Sequence, residues 1–158
     1  MRYGFRTATP EDLPLIAGWQ AQPHVRAWWG SESTYEADDL NDARVARWIV
    51  SLEGAPFAYM QDYSVHGWPD HHFADLAVGS RGIDQFIGDP DRLGQGHGTG
   101  FIKQRLDALF AAGAPAVATD PHPDNHRAIA VYRKLGFAEA GPPRETRWGL
   151  VLPMVARR

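Results

Sequence analysis

The stretch best suited to chemistry is a run of glycines between a predicted strand and a predicted helix. Glycine occupies every second position from 94 to 100. Glycine lets a backbone approach a ligand closely, and a helix N-terminus offers unpaired N–H groups, so the run is suited to a phosphate or pyrophosphate. It is not a P-loop, because no Gly-Lys-Ser/Thr follows, and Thr99 or Phe101 stands where a dinucleotide fingerprint has its third glycine. A flexible loop without a ligand is the alternative interpretation.

Two motifs together resemble the signatures of the GNAT superfamily of N-acetyltransferases. The segment Leu93-x-x-Gly96-x-Gly98 resembles the loop that holds the pyrophosphate of acetyl-CoA in that superfamily. The segment 125–137 resembles its second signature, Asn-x-x-Ala-x-x-x-Tyr-x-x-x-Gly-Phe, and the two are separated by one predicted helix and one predicted strand. Leu93 departs from the pattern, which often has Arg or Gln there. The resemblance implies a GNAT fold and acetyl-CoA as cosubstrate.

The resemblance also implies which residues contact acetyl-CoA, in part through main-chain N–H groups. These residues are Gln85, Phe86, Ile87, Gln95, Gly96, His97, Gly98, Thr99, Gly100 and Asn125. The N–H groups of residues 85–87 would polarise the thioester carbonyl. Asn125 also stands where a helix N-cap belongs, and the two roles are compatible.

Two side chains are expected to carry the proton transfers. Acetyl transfer to an amine needs a neutral amine, a polarised carbonyl and a protonated leaving thiolate. By resemblance, Asp84 accepts the proton of the amine, directly or through water, and Tyr132 protonates the thiolate of CoA. The structural alternatives are an Asp84 paired with Arg81 or a turn amide, and a Tyr132 that is a core aromatic of the last helix.

Three further segments resemble one branch of the superfamily, the aminoglycoside 6′-N-acetyltransferases. They are residues 24–30, 81–85 and 119–129. The resemblance implies acetylation of a primary amine, with these residues on the acceptor: Trp28, Trp29, Trp68, Asp84 and Asp120. One of the adjacent tryptophans is expected to belong to the core, and an Asp before Pro at a turn is also common without function.

The resemblance to this branch breaks in two places, at residues 31–47, which form a shorter segment, and at residues 65–73. The second segment carries His66, His71 and His72 where an acidic stretch is expected. Siderophore-type acyltransferases related to this branch use a His and Asp pair, so these histidines are alternative acceptor residues. No metal is expected, because the chain has no His-Glu-x-x-His or His-x-His pattern and no cysteine.

Two other functions stay open alongside the aminoglycoside hypothesis. One is an acyltransferase acting on a siderophore precursor, a polyamine or another metabolite amine. The other is a non-catalytic acyl-CoA-binding sensor on the same fold, which the presence of Asp84 and Tyr132 disfavours.

The predicted elements place the motifs within an α/β (α+β) arrangement. Strands are predicted at 3–7, 48–52, 56–63, 81–88, 116–119 and 147–155, and helices at 9–20, 24–29, 35–46 and 125–135. A further helix is predicted to open at the glycine run 93–100 and to stop at Gly113 and Pro115. The strands of the front half are predicted to be antiparallel, and the back half is predicted to have the element order β-α-β-α-β. We therefore expect a GNAT fold with a central mixed, mostly antiparallel sheet flanked by helices, forming one domain over residues 1–158.

The composition excludes several other classes of protein. The chain has 158 residues, 44% hydrophobic and 22% charged, as in an ordinary globular domain. Zero cysteines exclude disulfides and thiolate nucleophiles, and a formal charge of −3 argues against nucleic-acid binding. No signal pattern and no apolar run near the roughly 20 residues of a membrane span is present. We expect a cytoplasmic monomer or homodimer whose partner is a small-molecule amine.

Overall fold

The computed structural model describes residues 2–29 and 35–158. The α-helices are Leu13–Gln20 (α1), Pro23–Trp29 (α2), Ala37–Leu40 (α3), His97–Ala111 (α4) and His126–Lys134 (α5). The strands are Gly4–Thr7 (β1), Val45–Leu52 (β2), Ala55–Ser64 (β3), Arg81–Ile87 (β4), Ala116–Thr119 (β5), Ala138–Glu139 (β6), Arg144–Thr146 (β7), Gly149–Val151 (β8) and Met154–Arg157 (β9). None of the helices in this described part of the chain is long and apolar enough to span a membrane.

Over the described residues, seven strands form a mixed sheet in the order β1-β2-β3-β4-β5-β9-β6, and β7 pairs with β8 separately. β1 runs antiparallel to β2, with Phe5 opposite Val50, and β9 runs antiparallel to β5 and to β6. β4 and β5 are parallel, with Gly82 opposite Ala118. The prediction of a mixed, mostly antiparallel sheet flanked by helices is confirmed.

The chain divides into two compact units. The first comprises Met1–Asp62 and Gln85–Phe101, and a cluster in its core includes Ile16, Ile49 and Tyr59. The second comprises Tyr63–Asp84 and Ile102–Arg158, and its least exposed side chains include Ile83, Val117 and Met154. The single domain expected over residues 1–158 stays a prediction.

Local side-chain contacts explain where several elements begin. The Asp12 carboxylate accepts the N–H of Thr9 at 2.8 Å and pairs with Arg6, which steadies the start of α1. Glu53 and Gly54, with φ of 52° and 82°, make the left-handed two-residue turn that suits the β2–β3 hairpin. The helix start predicted at Thr9 is a short 3-10 helix, Pro10–Asp12, that leads into α1, and the predicted hairpin is confirmed.

Two predicted elements are wrong in extent. The helix predicted at 35–46 is only α3, because Asp42 accepts hydrogen bonds from the main chain and guanidinium of Arg44 and forms a turn before β2. The strand predicted at 147–155 is two strands, β8 and β9, separated by Leu152 and Pro153, and proline has no N–H for a ladder. Gly30 and the first four residues of the segment 31–47 that is expected to be shorter, residues 31–34, lie outside the described residues.

Candidate active site

The glycine loop ends at the N-terminus of α4. Gly94 and Gly96 have φ of 71° and 83°, a left-handed conformation that glycine adopts without strain, and nothing lies within 4 Å of a Cβ built at Gly96. The first main-chain bond of the helix runs from the Gly100 N–H to the Gly96 carbonyl at 3.1 Å. The N–H groups of residues 97–99 are therefore those that a helix leaves without an intrahelical acceptor, and they are suited to a phosphate.

The side chain of His97 faces the interior of the first unit and is 5% exposed. Its Nδ1 lies 2.9 Å from the Tyr3 hydroxyl, its Nε2 lies 3.2 Å from Gln95 Oε1, and its ring packs edge-on to Phe57 at 5.5 Å. A Cβ at Gly100 would lie 2.6 Å from the same Tyr3 hydroxyl. The start of α4 is thus anchored to Tyr3, the residue before β1, and His97 is left to contact a ligand through its main chain.

A pair of carboxyl groups lies at neighbouring positions of the second unit. Asp84 is in β4, Asp120 follows β5, and their side chains are hydrogen-bonded to each other. Burial raises the pKa of Asp120 to about 7, and the bond from Asp84 acts in the opposite direction. Because two carboxyl groups bond to each other only when one holds a proton, the pair shares a proton at neutral pH and below.

A histidine completes this group. His72 Nε2 lies 2.8 Å from Asp120 Oδ2, and the His72 side chain is 3% exposed while that of Asp120 is 15% exposed. Burial, with repulsion from Arg144 and Arg147, lowers the pKa of His72, so its ring is neutral at pH 7. When Asp120 is ionised its oxygens can only accept, so the neutral ring then donates its Nε2–H to Asp120.

One tyrosine, Tyr63, lies near the carboxyl pair and near a second tyrosine, Tyr132. Tyr63, at the end of β3, is 6% exposed, and burial together with the negative charges of Asp84 and Asp120 and the nearby Tyr132 raises its pKa well above the ordinary value. Tyr132, on α5, is 5% exposed. Sequence reasoning missed Tyr63, although a glycine inside a strand often marks a close approach, and a Cβ at Gly82 would lie 2.3 Å from Tyr63 Cζ.

The histidine-bearing segment packs against the tip of the β7–β8 hairpin. The rings of His71 and His72 stack at 4.3 Å, and Trp148 lies 5.2 Å from His71 and 5.9 Å from His72. Arg147 donates to the carbonyl of Pro69 at 2.7 Å. Burial and the neighbouring cations lower the pKa of His71 to about 4, and its Nδ1 accepts the N–H of Phe73 at 3.1 Å. Sequence reasoning also missed this hairpin.

The other predicted acceptor residues are placed differently. His66 is exposed and bonds to the carbonyl of Ala74 at 3.0 Å, whereas Trp68 packs edge-on to Tyr63 at 5.5 Å. Trp29 packs against Phe86 at 5.0 Å in the first unit. Trp28 is 50% exposed, so it is the one of the adjacent tryptophans that faces outward.

Among the predicted cofactor residues outside the loop, main-chain and cap contacts dominate. The Ile87 carbonyl accepts from His24 Nε2 at 2.8 Å, and the Phe86 ring stacks on Tyr59 at 5.3 Å. Asn125 Oδ1 accepts the N–H of Ala128 at 3.3 Å, which is the N-cap role. Over residues 2–29 and 35–158, no group of three or more His, Cys, Asp or Glu side chains could hold a metal ion.

Comparison with known proteins agrees with this architecture. A family model described as an acetyltransferase (GNAT) domain matches residues 8–143. The aminoglycoside N(6′)-acetyltransferase type 1 of Klebsiella pneumoniae is 32% identical over 148 residues, covering 86% of this chain and 74% of the relative. The kanamycin resistance protein of Rhizobium radiobacter is 41% identical over 64 residues, covering 40% of this chain and 59% of the relative.

Solved structures are similar over almost the whole chain. Aminoglycoside acetyltransferase AAC(6′)-Ib in complex with coenzyme A has a TM-score of 0.88 at 32% identity, covering 99% of this chain and 95% of the other. Its complex with ribostamycin and coenzyme A has a TM-score of 0.89 at 31% identity, with coverage of 100% and 94%. The chain belongs to the GNAT family of acetyltransferases, and its resemblance to the aminoglycoside 6′-N-acetyltransferases is confirmed.

Proposed function

We propose that this protein transfers the acetyl group of acetyl-CoA to a primary amine, namely the 6′-amine of an aminoglycoside. The observation that carries this proposal is the hydrogen-bonded pair of Asp84 and Asp120, a buried anionic site that a positively charged amine would stabilise. The relatives at 32% identity include enzymes named for acetylation at that amine.

The glycine loop fits the donor. The left-handed φ of Gly96, the open space around it and the free N–H groups of residues 97–99 suit the pyrophosphate of acetyl-CoA. The remaining residues predicted to contact acetyl-CoA are part of the same proposal. They are Gln85, Phe86, Ile87, Gln95, Gly98, Thr99, Gly100 and Asn125. Acetyl-CoA supplies the activated thioester, and the N–H groups of residues 85–87 would polarise its carbonyl.

The second unit supplies the proton transfers. Binding of the ammonium group releases the proton shared by the carboxyl pair to solvent, so that Asp120 holds the cation and Asp84 accepts one of its protons, directly or through water. The neutral amine then attacks the thioester carbonyl, and its nitrogen loses a second proton to solvent as the C–S bond breaks. Tyr132 donates its hydroxyl proton to the departing CoA thiolate. Trp68 packs on Tyr63 beside this group, so we assign it to the acceptor together with Trp28 and Trp29.

The test is acetyl-CoA turnover on a panel of amines, followed as release of free CoA. We expect rapid release with kanamycin and none with a kanamycin analogue that lacks the 6′-amine. Asp84→Asn and Tyr132→Phe should each reduce kcat by about 100-fold or more, the usual contribution of a general base or acid. Acetyl-CoA binding by calorimetry should be unchanged in both variants.

Two other outcomes would redirect the assignment. Binding of acetyl-CoA without turnover of any aminoglycoside would contradict the acceptor but not the family. If Asp84→Asn and Tyr132→Phe left the turnover unchanged, the proposed proton transfers would be wrong.

One observation favours a second acceptor class. Arg144, Arg147 and the histidines lie near the carboxyl pair, so an amine that also carries an anionic group, as a siderophore precursor does, would find both charges matched. Faster turnover of hydroxylysine than of kanamycin would establish this class. A cytoplasmic location and a monomeric or homodimeric state are further proposals, in keeping with acetyl-CoA as donor and the absence of cysteine.

A further inference from the structure

We propose that His72 is a positioning residue that holds Asp120 through its Nε2–H, and so orients that carboxyl group and favours its ionised form for the cationic acceptor. The kinetic consequence rests on the proposed function, but the interaction itself can be tested without any acceptor. His72 lies 48 residues before Asp120 in the chain, and nothing in the family motifs requires a histidine there.

The contact is short and shielded from solvent. The two atoms are 2.8 Å apart, and only 3% of the His72 side chain is exposed. Hydrogen bonds to a carboxylate are stronger than bonds between neutral groups, and burial reduces competition from water. A ring held in this way restrains both the position of the Asp120 carboxylate and its proton affinity.

The ring of His72 is itself held in place by its neighbours. It stacks on His71 at 4.3 Å, lies 4.5 Å from Phe73 and 5.9 Å from Trp148. Such packing leaves few alternative rotamers for the imidazole, so the donor stays directed at Asp120. A carboxylate that binds a substrate cation needs rigid support of this kind.

The charges around the contact come from several elements. Asp84 of β4 bonds to Asp120, and Tyr63 of β3 lies near both carboxyl groups and near Tyr132 of α5. On the other side of His72 are the neutral His71 and two cations of the β7–β8 hairpin, Arg144 and Arg147.

This arrangement keeps His72 neutral. Burial and the two cations oppose protonation of its ring more than Asp84 favours it, so at neutral pH it acts as a neutral donor rather than as half of an ion pair. By donating to the charged form of Asp120, His72 lowers the pKa that burial raises. Loss of the donor should therefore move the ionisation of Asp120 to higher pH.

The first experiment is a carboxyl ¹³C NMR titration of the whole protein without substrate, with the Asp120 signal assigned by its loss in Asp120→Asn. We expect a midpoint near 7 in the wild type. The midpoint should rise by about one pH unit in His72→Phe, which removes the donor, and return to within a few tenths in His72→Gln, whose amide can replace Nε2–H. His72→Asn, whose amide lies nearer the main chain, should behave like His72→Phe and serves if the latter does not fold.

The second experiment is the pH profile of kcat/KM for kanamycin in the same variants. The acidic limb should shift with the NMR midpoint, and at pH 7 KM should rise several-fold more than kcat falls. His126→Phe, which changes an exposed histidine on α5, should follow the wild type.

The two experiments distinguish an error in the role of His72 from an error in the proposed acceptor. An unchanged Asp120 midpoint in folded His72→Phe, or a His72→Gln midpoint equal to that of His72→Phe, would overturn the role of His72. If the midpoints shift as expected and kanamycin is not acetylated, the proposed acceptor is wrong while the role of His72 stands.

Discussion

At the scale of single residues, the buried Asp120 has a cost in stability that depends on pH. Below about pH 4 this carboxyl is protonated in both the folded and the unfolded chain, so it contributes no difference. Between pH 4 and about 7 the unfolded chain ionises while the folded chain retains the proton, so the free energy of unfolding falls as pH rises. Above about pH 7 this carboxyl is ionised in both states, and burial of its charge lowers the free energy of unfolding by the full amount.

Asp120→Asn should therefore stabilise the protein at alkaline pH while abolishing binding of the acceptor cation. We expect its gain in the free energy of unfolding over wild type to be about 2 kcal/mol larger at pH 8 than at pH 5, from the 1.4 kcal/mol that accompanies each pH unit. Urea unfolding of both proteins at the two pH values measures this. An equal gain at both would show that Asp120 does not titrate in that range.

Gly82 is needed because Tyr63 occupies the space of a side chain. Gly82→Ala places a Cβ 2.3 Å from Tyr63 Cζ, so Tyr63 or β4 must move. We expect a loss of about 2 kcal/mol in the free energy of unfolding, as for other overpacked sites, together with a fall in kcat/KM. The matched control is Gly18→Ala in α1, where nothing lies within 4 Å and a gain of about 0.5–1 kcal/mol is expected. Similar stability of the two variants in urea would contradict the contact.

At the scale of elements, the loop before α4 depends on backbone conformation rather than on side chains. Gly96 and Gly113 both have positive φ, 83° and 103°, and neither has a neighbour within 4 Å of a built Cβ. Alanine at either position should cost about 1–2 kcal/mol of stability through the same left-handed strain. Only Gly96→Ala should raise KM for acetyl-CoA several-fold. Equal KM values for acetyl-CoA in Gly96→Ala and Gly113→Ala, measured by steady-state kinetics, would show that the loop does not bind the cofactor.

The β7–β8 hairpin is expected to hold the histidine-bearing segment in place. Trp148 packs on His71 and His72, although it is 54% exposed. Trp148→Ala should make main-chain amides of residues 66–73 exchange with deuterium several-fold faster and raise KM for the acceptor. Glu145→Ala, an exposed change on β7 of the same hairpin, should leave the exchange as in wild type. Unchanged protection in Trp148→Ala would show that the segment is held without the hairpin.

At the scale of the whole molecule, charge favours a cationic acceptor only moderately. The formal charge is only −3, so attraction of a polycation depends on the carboxyl pair rather than on the surface as a whole. Salt screens such attraction over about 8 Å at physiological ionic strength. We expect KM for kanamycin to rise several-fold between 50 and 500 mM NaCl, and KM for a sugar with a single amine to rise much less. Equal salt dependence of the two would argue against electrostatic binding of the polycation.

Local signals determined the elements around the two motifs from the sequence. β5 begins and ends as predicted, and α5 begins at its Asn125 cap, because a cap, glycines and prolines act within a few residues of their own position. The loop before α4 was predicted for the same reason. The hairpin β7–β8 was missed because its pairing depends on contacts that short segments do not specify.

The sequence by itself determined the family, the elements around both motifs and the candidate roles of Asp84, Asp120 and Tyr132. Those roles stay predictions, yet the tertiary structure alone decided that these three side chains lie around Tyr63 and that His72 bonds to Asp120. The physical reason is that capping and turn formation are local, whereas the proton affinity of a carboxyl depends on burial and on partners far away in the chain.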